Sequence, residues 1–243
     1  MIPGAANIKH RLRLRRLARQ NGRVAAVIKQ VRQKHLTYLE VPALCDLAEA
    51  ALLNEANHVS GIIVEAGCAL GGSAAVLASA KARERPAFFY DVFGMIPPPS
   101  SNDGADVHER FRVIASGAAP GIEGQRYYGY ESDLYQRVIE TLNAAGVDLV
   151  ADNVSLVKGV YQESMHINSP VALAHIDCDW YDSVLTCLQQ IVPNLTPGGT
   201  IIVDDYYVWS GCRKAVDDYF AAGSSDEFRF VKHSRLQIVR NSS

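Results

Sequence analysis

No run of apolar residues in this 243-residue chain approaches the roughly 18 needed for a membrane span, and its first residues lack the apolar stretch of a secretory signal. These absences lead us to expect a cytoplasmic protein with no membrane partner. Cysteine is sparse: five residues, an odd number, with no Cys-x-x-Cys spacing, which argues against both a disulfide framework and a thiolate zinc site. Acid is missing altogether from the first 39 residues, which hold ten Lys and Arg and leave 14 basic against 26 acidic residues for the remainder. The basic stretch over residues 8–35 therefore predicts an amphipathic helix that docks on the acidic body or on a second subunit, so a homo-dimer or higher oligomer is compatible with it. No aromatics interleave its arginines to stack on bases, which argues against a nucleic-acid partner. No Ser precedes Ser60, which argues against an organelle-targeting peptide.

What is present is an alternation of helix and strand. Apolar content of 48% and charged content of 21% suit one globular domain with a sizeable core. The patterning predicts helices over Val41 to Ala56, Gly72 to Arg83 and Asp133 to Ala145, and one more carrying Val184, Leu188 and Ile191. It predicts strands over Gly61 to Glu65, Ala87 to Asp91, Val154 to Lys158, Val171 to Ile176 and Thr200 to Val203. Such alternation implies an α/β fold, a doubly wound and mostly parallel sheet covered on both faces. Phe228 to Val231 and Gln237 to Arg240 suit a closing antiparallel pair. The expected division is a basic N-terminal helical extension over residues 1–38 and one domain over residues 39–243, with a long lid-like loop inserted at about 95–130.

Two features carry chemistry. The first is the run Val64-Glu65-Ala66-Gly67-Cys68-Ala69-Leu70-Gly71-Gly72-Ser73, a strand, a glycine turn and a helix start. The turn lets backbone approach a ligand beyond the strand ends. Its spacing is not the dinucleotide Gly-x-Gly-x-x-Gly, and the Glu65 carboxylate would repel a pyrophosphate but suit a sulfonium and an ammonium, as in S-adenosylmethionine. Asp91 ends the next strand 24 residues after Gly67, where an acid can bond both ribose hydroxyls of an adenosine. The second feature is a set of acids, Asp177, Asp179, Asp204 and Asp205, at the ends of two apolar strands. Parallel neighbours lie about 4.8 Å apart, so these carboxylates can converge, and an all-oxygen set favours Mg²⁺ or another hard ion. The competing reading has them capping helices or pairing with Arg213 and Lys214.

His175 to Ser183, Pro197 to Tyr206, Gly211 to Phe220, Glu65 to Ser73, Tyr90 to Pro99 and Val157 to Tyr161, taken in order, resemble the macrocin O-methyltransferase (TylF/MycF) family over roughly residues 38–220. The resemblance implies a seven-stranded, Rossmann-like class I methyltransferase that uses S-adenosylmethionine and Mg²⁺ to methylate hydroxyls, commonly on sugars of natural products. It implies Asp177, Asp204 and Asp205 as metal ligands, and Asp177 as the base with Asp179 a second catalytic acid of less defined role. It implies cofactor contacts at Glu65, Ala66, Gly67, Gly71, Gly72, Ser73, Asp91, Gly159 and Asp177. Val92 and Met95-Ile96 depart from the family pattern, which bears on the acceptor more than on the cofactor.

The expected partner is a small molecule with a free hydroxyl, whose oxygen attacks the sulfonium methyl in line while a carboxylate takes its proton. Residues Pro97 to Tyr130, with His108, Arg110, Phe111, Tyr127, Tyr128 and Tyr130, are expected to shape the acceptor pocket, and Trp180, Trp209, Tyr206 and Tyr207 to wall the site or pack in the core. Alternatives are a phenolic or catechol acceptor, a binding module that has lost catalysis, and a nicotinamide-dependent oxidoreductase. The last lacks both its phosphate fingerprint and a Tyr-x-x-x-Lys pair here.

Overall fold

The structure is a computed structural model that describes residues 3–223 and 225–242, with side chains from residue 12 onward and excepting Ser225. Expectations for the side chains of residues 8–11 lie outside the described residues. Nine α-helices and seven strands alternate in this described chain: α1 (Pro3–Gln20), α2 (Gly22–Gln33), α3 (Val41–Ala56), β1 (Ile62–Ala66), α4 (Gly72–Ala80), β2 (Ala87–Asp91), α5 (Ala105–Ala115), α6 (Leu134–Ala144), β3 (Val154–Lys158), α7 (Tyr161–Ser164), β4 (Val171–Ile176), α8 (Tyr181–Ile191), β5 (Leu195–Val203), α9 (Ser210–Ala221), β6 (Phe228–Lys232) and β7 (Leu236–Arg240). The strands form one sheet in the order β3-β2-β1-β4-β5-β7-β6. The first five run parallel, and β7 closes antiparallel on β5 and on β6.

Alternation along the central strands builds two cores. Ile63 of β1 and Leu173 of β4 face α1 to α4 and α6, while Val64, Ala66 and Ile176 face α8 and α9. Because β1 lies between β2 and β4, the glycine turn opens between Asp91 and Asp177, at the point where the strand order reverses.

Two elements differ from the sequence reading. The basic stretch is two helices, because Asn21 adopts extended backbone and its side chain accepts from the Val24 amide, capping α2. Its apolar face, Val24, Val27, Ile28 and Val31, is buried in the first core, so the segment is built into the body. Arg13 of α1 meets Asp46 and Glu49 of α3 at 2.5 Å each. The insertion, read as a loop, holds the helix α5, whose buried Val107 and Ile114 recur at helical spacing. Among the described residues no helix is long and apolar enough to cross a membrane.

Candidate active site

Each glycine of the turn answers to a different neighbour. Gly67 adopts φ +90°, and a Cβ there would lie 1.9 Å from the Asp177 carbonyl oxygen, so no other residue fits. Gly72 donates its amide to the Leu36 carbonyl at 3.0 Å, an oxygen that a Cβ would approach to 2.3 Å. The close approach brings residues 37–39, just after α2, to the rim of the cleft.

Asp91 laces this turn together. One carboxylate oxygen accepts from the Cys68 and Ala69 amides at 3.0 Å each, and the other accepts from the Phe93 amide at 2.7 Å. Burial nevertheless pushes its pKa up to about 6, against the pull of those three donors. Ala69, Phe93 and Asp179 all hold left-handed backbone at the strand ends, a conformation that costs non-glycine residues about 1–3 kcal/mol and concentrates at functional sites.

β4 and β5 deliver the acids. Ile176 pairs with Val203, so the chains leave the sheet side by side. Asp177, Asp179 and Asp205 place one carboxylate oxygen each within 4.8 Å of one another. Burial raises the pKa of Asp177 well above the usual carboxylate range, and the charge of Asp204 adds to it. Asp205 is raised in the same way by burial and then by Asp179. Asp179 is raised by burial, with a hydrogen bond from Asp205 opposing. Three adjoining carboxylates, Asp205 buried and Asp177 and Asp179 half-buried, that resist ionisation together and offer an all-oxygen donor set fit a hard divalent cation.

Asp204 differs from the expectation that grouped it with Asp177 and Asp205. Its Oδ1 accepts from Arg235 Nε at 2.7 Å and lies 3.8 Å from His175 Nε2. Burial would raise its pKa, but the His175 and Arg235 charges win and lower it. The trio that converges therefore contains Asp179 in its place. Arg213 and Lys214 do not pair with these acids; they bond the Tyr206 carbonyl and Asp218.

Glu65 is also corrected. It is fully buried between the sheet faces, where its Oε1 meets His175 Nδ1 at 2.8 Å, and it does not reach the cleft. Burial lowers the His175 pKa, but the neighbouring Asp204 and Glu65 carboxylates outweigh it and carry it up to about 10, which favours the protonated ring. Nothing in the spacing marks this pair, because residues 65 and 175 meet only through the β1–β4 register.

Above the acids and the turn lies a cavity of about 270 Å³, reached by Gly67, Ser73, Asp91, Asp177, Asp179, Asp204 and Asp205. Tyr38, Arg110, Tyr127, Tyr128 and Trp209 close it from outside, Tyr38 and Arg235 being wall residues that the sequence reading did not name. Tyr128 also faces a small extension of about 40 Å³ beside Tyr161. Of the expected cofactor contacts, Ala66, Gly71, Gly72 and Gly159 line neither space. Ala66 is inside β1, Gly71 packs toward Val138, Gly72 abuts Leu36, and Gly159 donates its amide to the Asp91 carbonyl. Trp180 is buried and donates to the Pro97 carbonyl. A larger open groove of about 680 Å³, between α8, α9 and β6, contains none of the strand-end acids, so we place the site in the smaller cavity.

The fold is that of the O-methyltransferase NovP, which superimposes with a TM-score of 0.69 over 86% of this chain and 82% of that one at 20% identity. The demethyldecarbamoylnovobiocin O-methyltransferase of Streptomyces niveus is 27% identical over 177 residues, 68% of this chain and 60% of the relative. An 8-demethyl-8-(2,3-dimethoxy-alpha-L-rhamnosyl)-tetracenomycin-C 4'-O-methyltransferase of Streptomyces olivaceus is 29% identical over 171 residues, 68% of this chain and 59% of the relative. The chain thus spans about three fifths of the length of these curated relatives. Residues 132–227 match the family model described as Macrocin-O-methyltransferase (TylF), a stretch that runs from α6 to the start of β6 and contains every strand-end acid of β4 and β5. Over those residues the chain resembles the macrocin O-methyltransferase family.

Proposed function

We propose that the protein is an S-adenosylmethionine- and Mg²⁺-dependent O-methyltransferase that acts on a hydroxyl of a sugar in a glycosylated small molecule. The observation that carries this reading is the meeting of the acids of β4 and β5 with the glycine turn of β1 in one cavity. The sugar acceptor is carried over from the tetracenomycin relative, whose name places its reaction on a rhamnosyl group.

When bound, S-adenosylmethionine supplies a methyl group on a positively charged sulfur. Gly67 lets backbone approach the cofactor, Ser73 faces it from the start of α4, and the Asp91 carboxylate offers its remaining acceptor sites to ribose hydroxyls. Mg²⁺, when bound, supplies a Lewis acid that makes a nearby hydroxyl easier to deprotonate. Asp177, Asp179 and Asp205 would hold it, with Asp204 a further ligand through the oxygen that Arg235 does not take. Asp177 takes the hydroxyl proton at a carboxylate oxygen, with Asp179 next to it. The aromatic wall of Tyr127, Tyr128 and Trp209 excludes water while the acceptor oxygen, methyl and sulfur are aligned.

The test is methyl transfer with and without chelator in Asp177→Asn. The variant should lose transfer while keeping its affinity for S-adenosylhomocysteine, and full activity of the variant in chelator would overturn the metal role. Titration with S-adenosylhomocysteine against NADH separates this reading from the oxidoreductase.

A further inference from the structure

Helix α5 turns a narrow stripe inward, Val107 and Ile114, both essentially inaccessible to solvent. Arg110 occupies the position between them on that stripe, three residues after Val107 and four before Ile114, where a side chain faces the body. Half-buried there, its guanidinium keeps its charge and has donors free for an anion. Among the described residues no carboxylate lies within salt-bridge reach of it; its neighbour Arg112, by contrast, pairs with Glu109 on the outer face. Arg110 instead sits over the Tyr127 ring, 5.7 Å from its centroid, and lines the same cavity as Asp179. The cavity is thus acidic on the side of the strand ends and cationic on the side of the lid.

Resting on the methyltransferase reading, we infer that Arg110 determines acceptor specificity by binding an oxyanion, a carboxylate or a phosphate, carried by the acceptor near its reacting hydroxyl. A hydroxyl directed to Asp177 and Asp179 places the rest of a sugar toward α5, and a planar guanidinium backed by an aromatic ring holds an oxyanion through paired N–H donors. The Asp179 carboxyl feels the Arg110 charge. Arg110 therefore belongs to the acceptor end of the cavity. The acceptor class is an acidic or phosphorylated sugar.

The experiment compares matched probes on the wild-type protein saturated with S-adenosylhomocysteine: methyl glucuronide against methyl glucoside for the carboxylate, and rhamnose 1-phosphate against rhamnose for the phosphate. We expect at least one anionic probe to bind about tenfold or more tightly than its neutral partner, with a preference that collapses in Arg110→Gln and partly returns in Arg110→Lys. Which pair shows it identifies the anion. Equal binding of both members of both pairs, or an anion preference that survives in Arg110→Gln, overturns the inference. So does a tenfold loss of S-adenosylhomocysteine affinity in Arg110→Gln, because the oxyanion would then be the cofactor's own carboxylate. Failure of the wild-type protein to bind S-adenosylhomocysteine at all would instead remove the methyltransferase reading beneath it.

Discussion

Glu65 and His175 face each other across β1 and β4 at 2.8 Å, both without solvent contact, so the sheet carries an ion pair in its middle just below the acids that form the floor of the cavity. Removing His175 leaves Glu65 buried without a partner, and removing Glu65 leaves His175 with only the more distant Asp204 at 3.8 Å. Glu65→Gln should therefore destabilise the fold by about 3–5 kcal/mol, as breaking buried pairs does. Replacing both, in Glu65→Leu with His175→Leu, should cost less than the sum of the two single changes. Urea denaturation of the four proteins in a double-mutant cycle reads this directly, and additivity would show that the pair does not act as a unit.

Asp91 gives the pH dependence. Its carboxyl titrates at about 6 in the folded protein against an ordinary value near 3.8, so the native state holds the proton more tightly. The associated stabilisation is therefore complete below the unfolded pKa and is lost as pH rises through about 6. Under the proposed function, ribose recognition by Asp91 runs the other way, because hydroxyl donors need the ionised acid. Affinity for S-adenosylhomocysteine should fall as pH drops below about 6, by up to roughly tenfold per unit. Isothermal titration between about pH 5 and 8 checks this, and Asp91→Asn should bind weakly with a flat profile.

Glycine substitutions should divide sharply by neighbour. Gly67→Ala has no room beside the Asp177 carbonyl and should abolish cofactor binding or folding. Gly22→Ala, at the first residue of α2 with nothing within 4 Å, should instead stabilise the protein by about 0.5–1 kcal/mol. Denaturation midpoints separate the two.

Trp209 lines the cavity, and Trp180 packs against it with ring centroids 6.1 Å apart but does not reach the open space. Ligand titration should change the intrinsic fluorescence of the protein. That response should survive Trp180→Phe and be lost in Trp209→Phe.

Much of the fold was legible because local pattern and tertiary environment agree. Strands β2, β3 and β4 begin and end where alternation and apolar runs place them, and the N-cap of α6 at Asp133 is visible as a polar residue before an amphipathic run. Helix α5 was hidden because its inward stripe carries only Val107 and Ile114 between charged residues. At the site, Asp177, Asp179, Asp204 and Asp205 were readable as strand-end acids. Which of them converge was not, because Arg235 claims Asp204 from a hairpin that follows it by some 30 residues. His175 was legible as part of a motif but not as the partner of Glu65, since that pairing exists only in the sheet register.

Asp46 of α3 accepts from Arg13 of α1 and from the amide of Ser234, the residue before Arg235. Residues 37–39 wall the cavity from one direction while Arg235 of the β6–β7 hairpin closes it from the other. A ribosome must therefore release nearly the whole described chain before the cleft can assemble, and an emerging polypeptide long enough to form β1 to β4 would carry its acids with neither Asp204 nor the arginine that restrains it. Competence arrives with the closing hairpin.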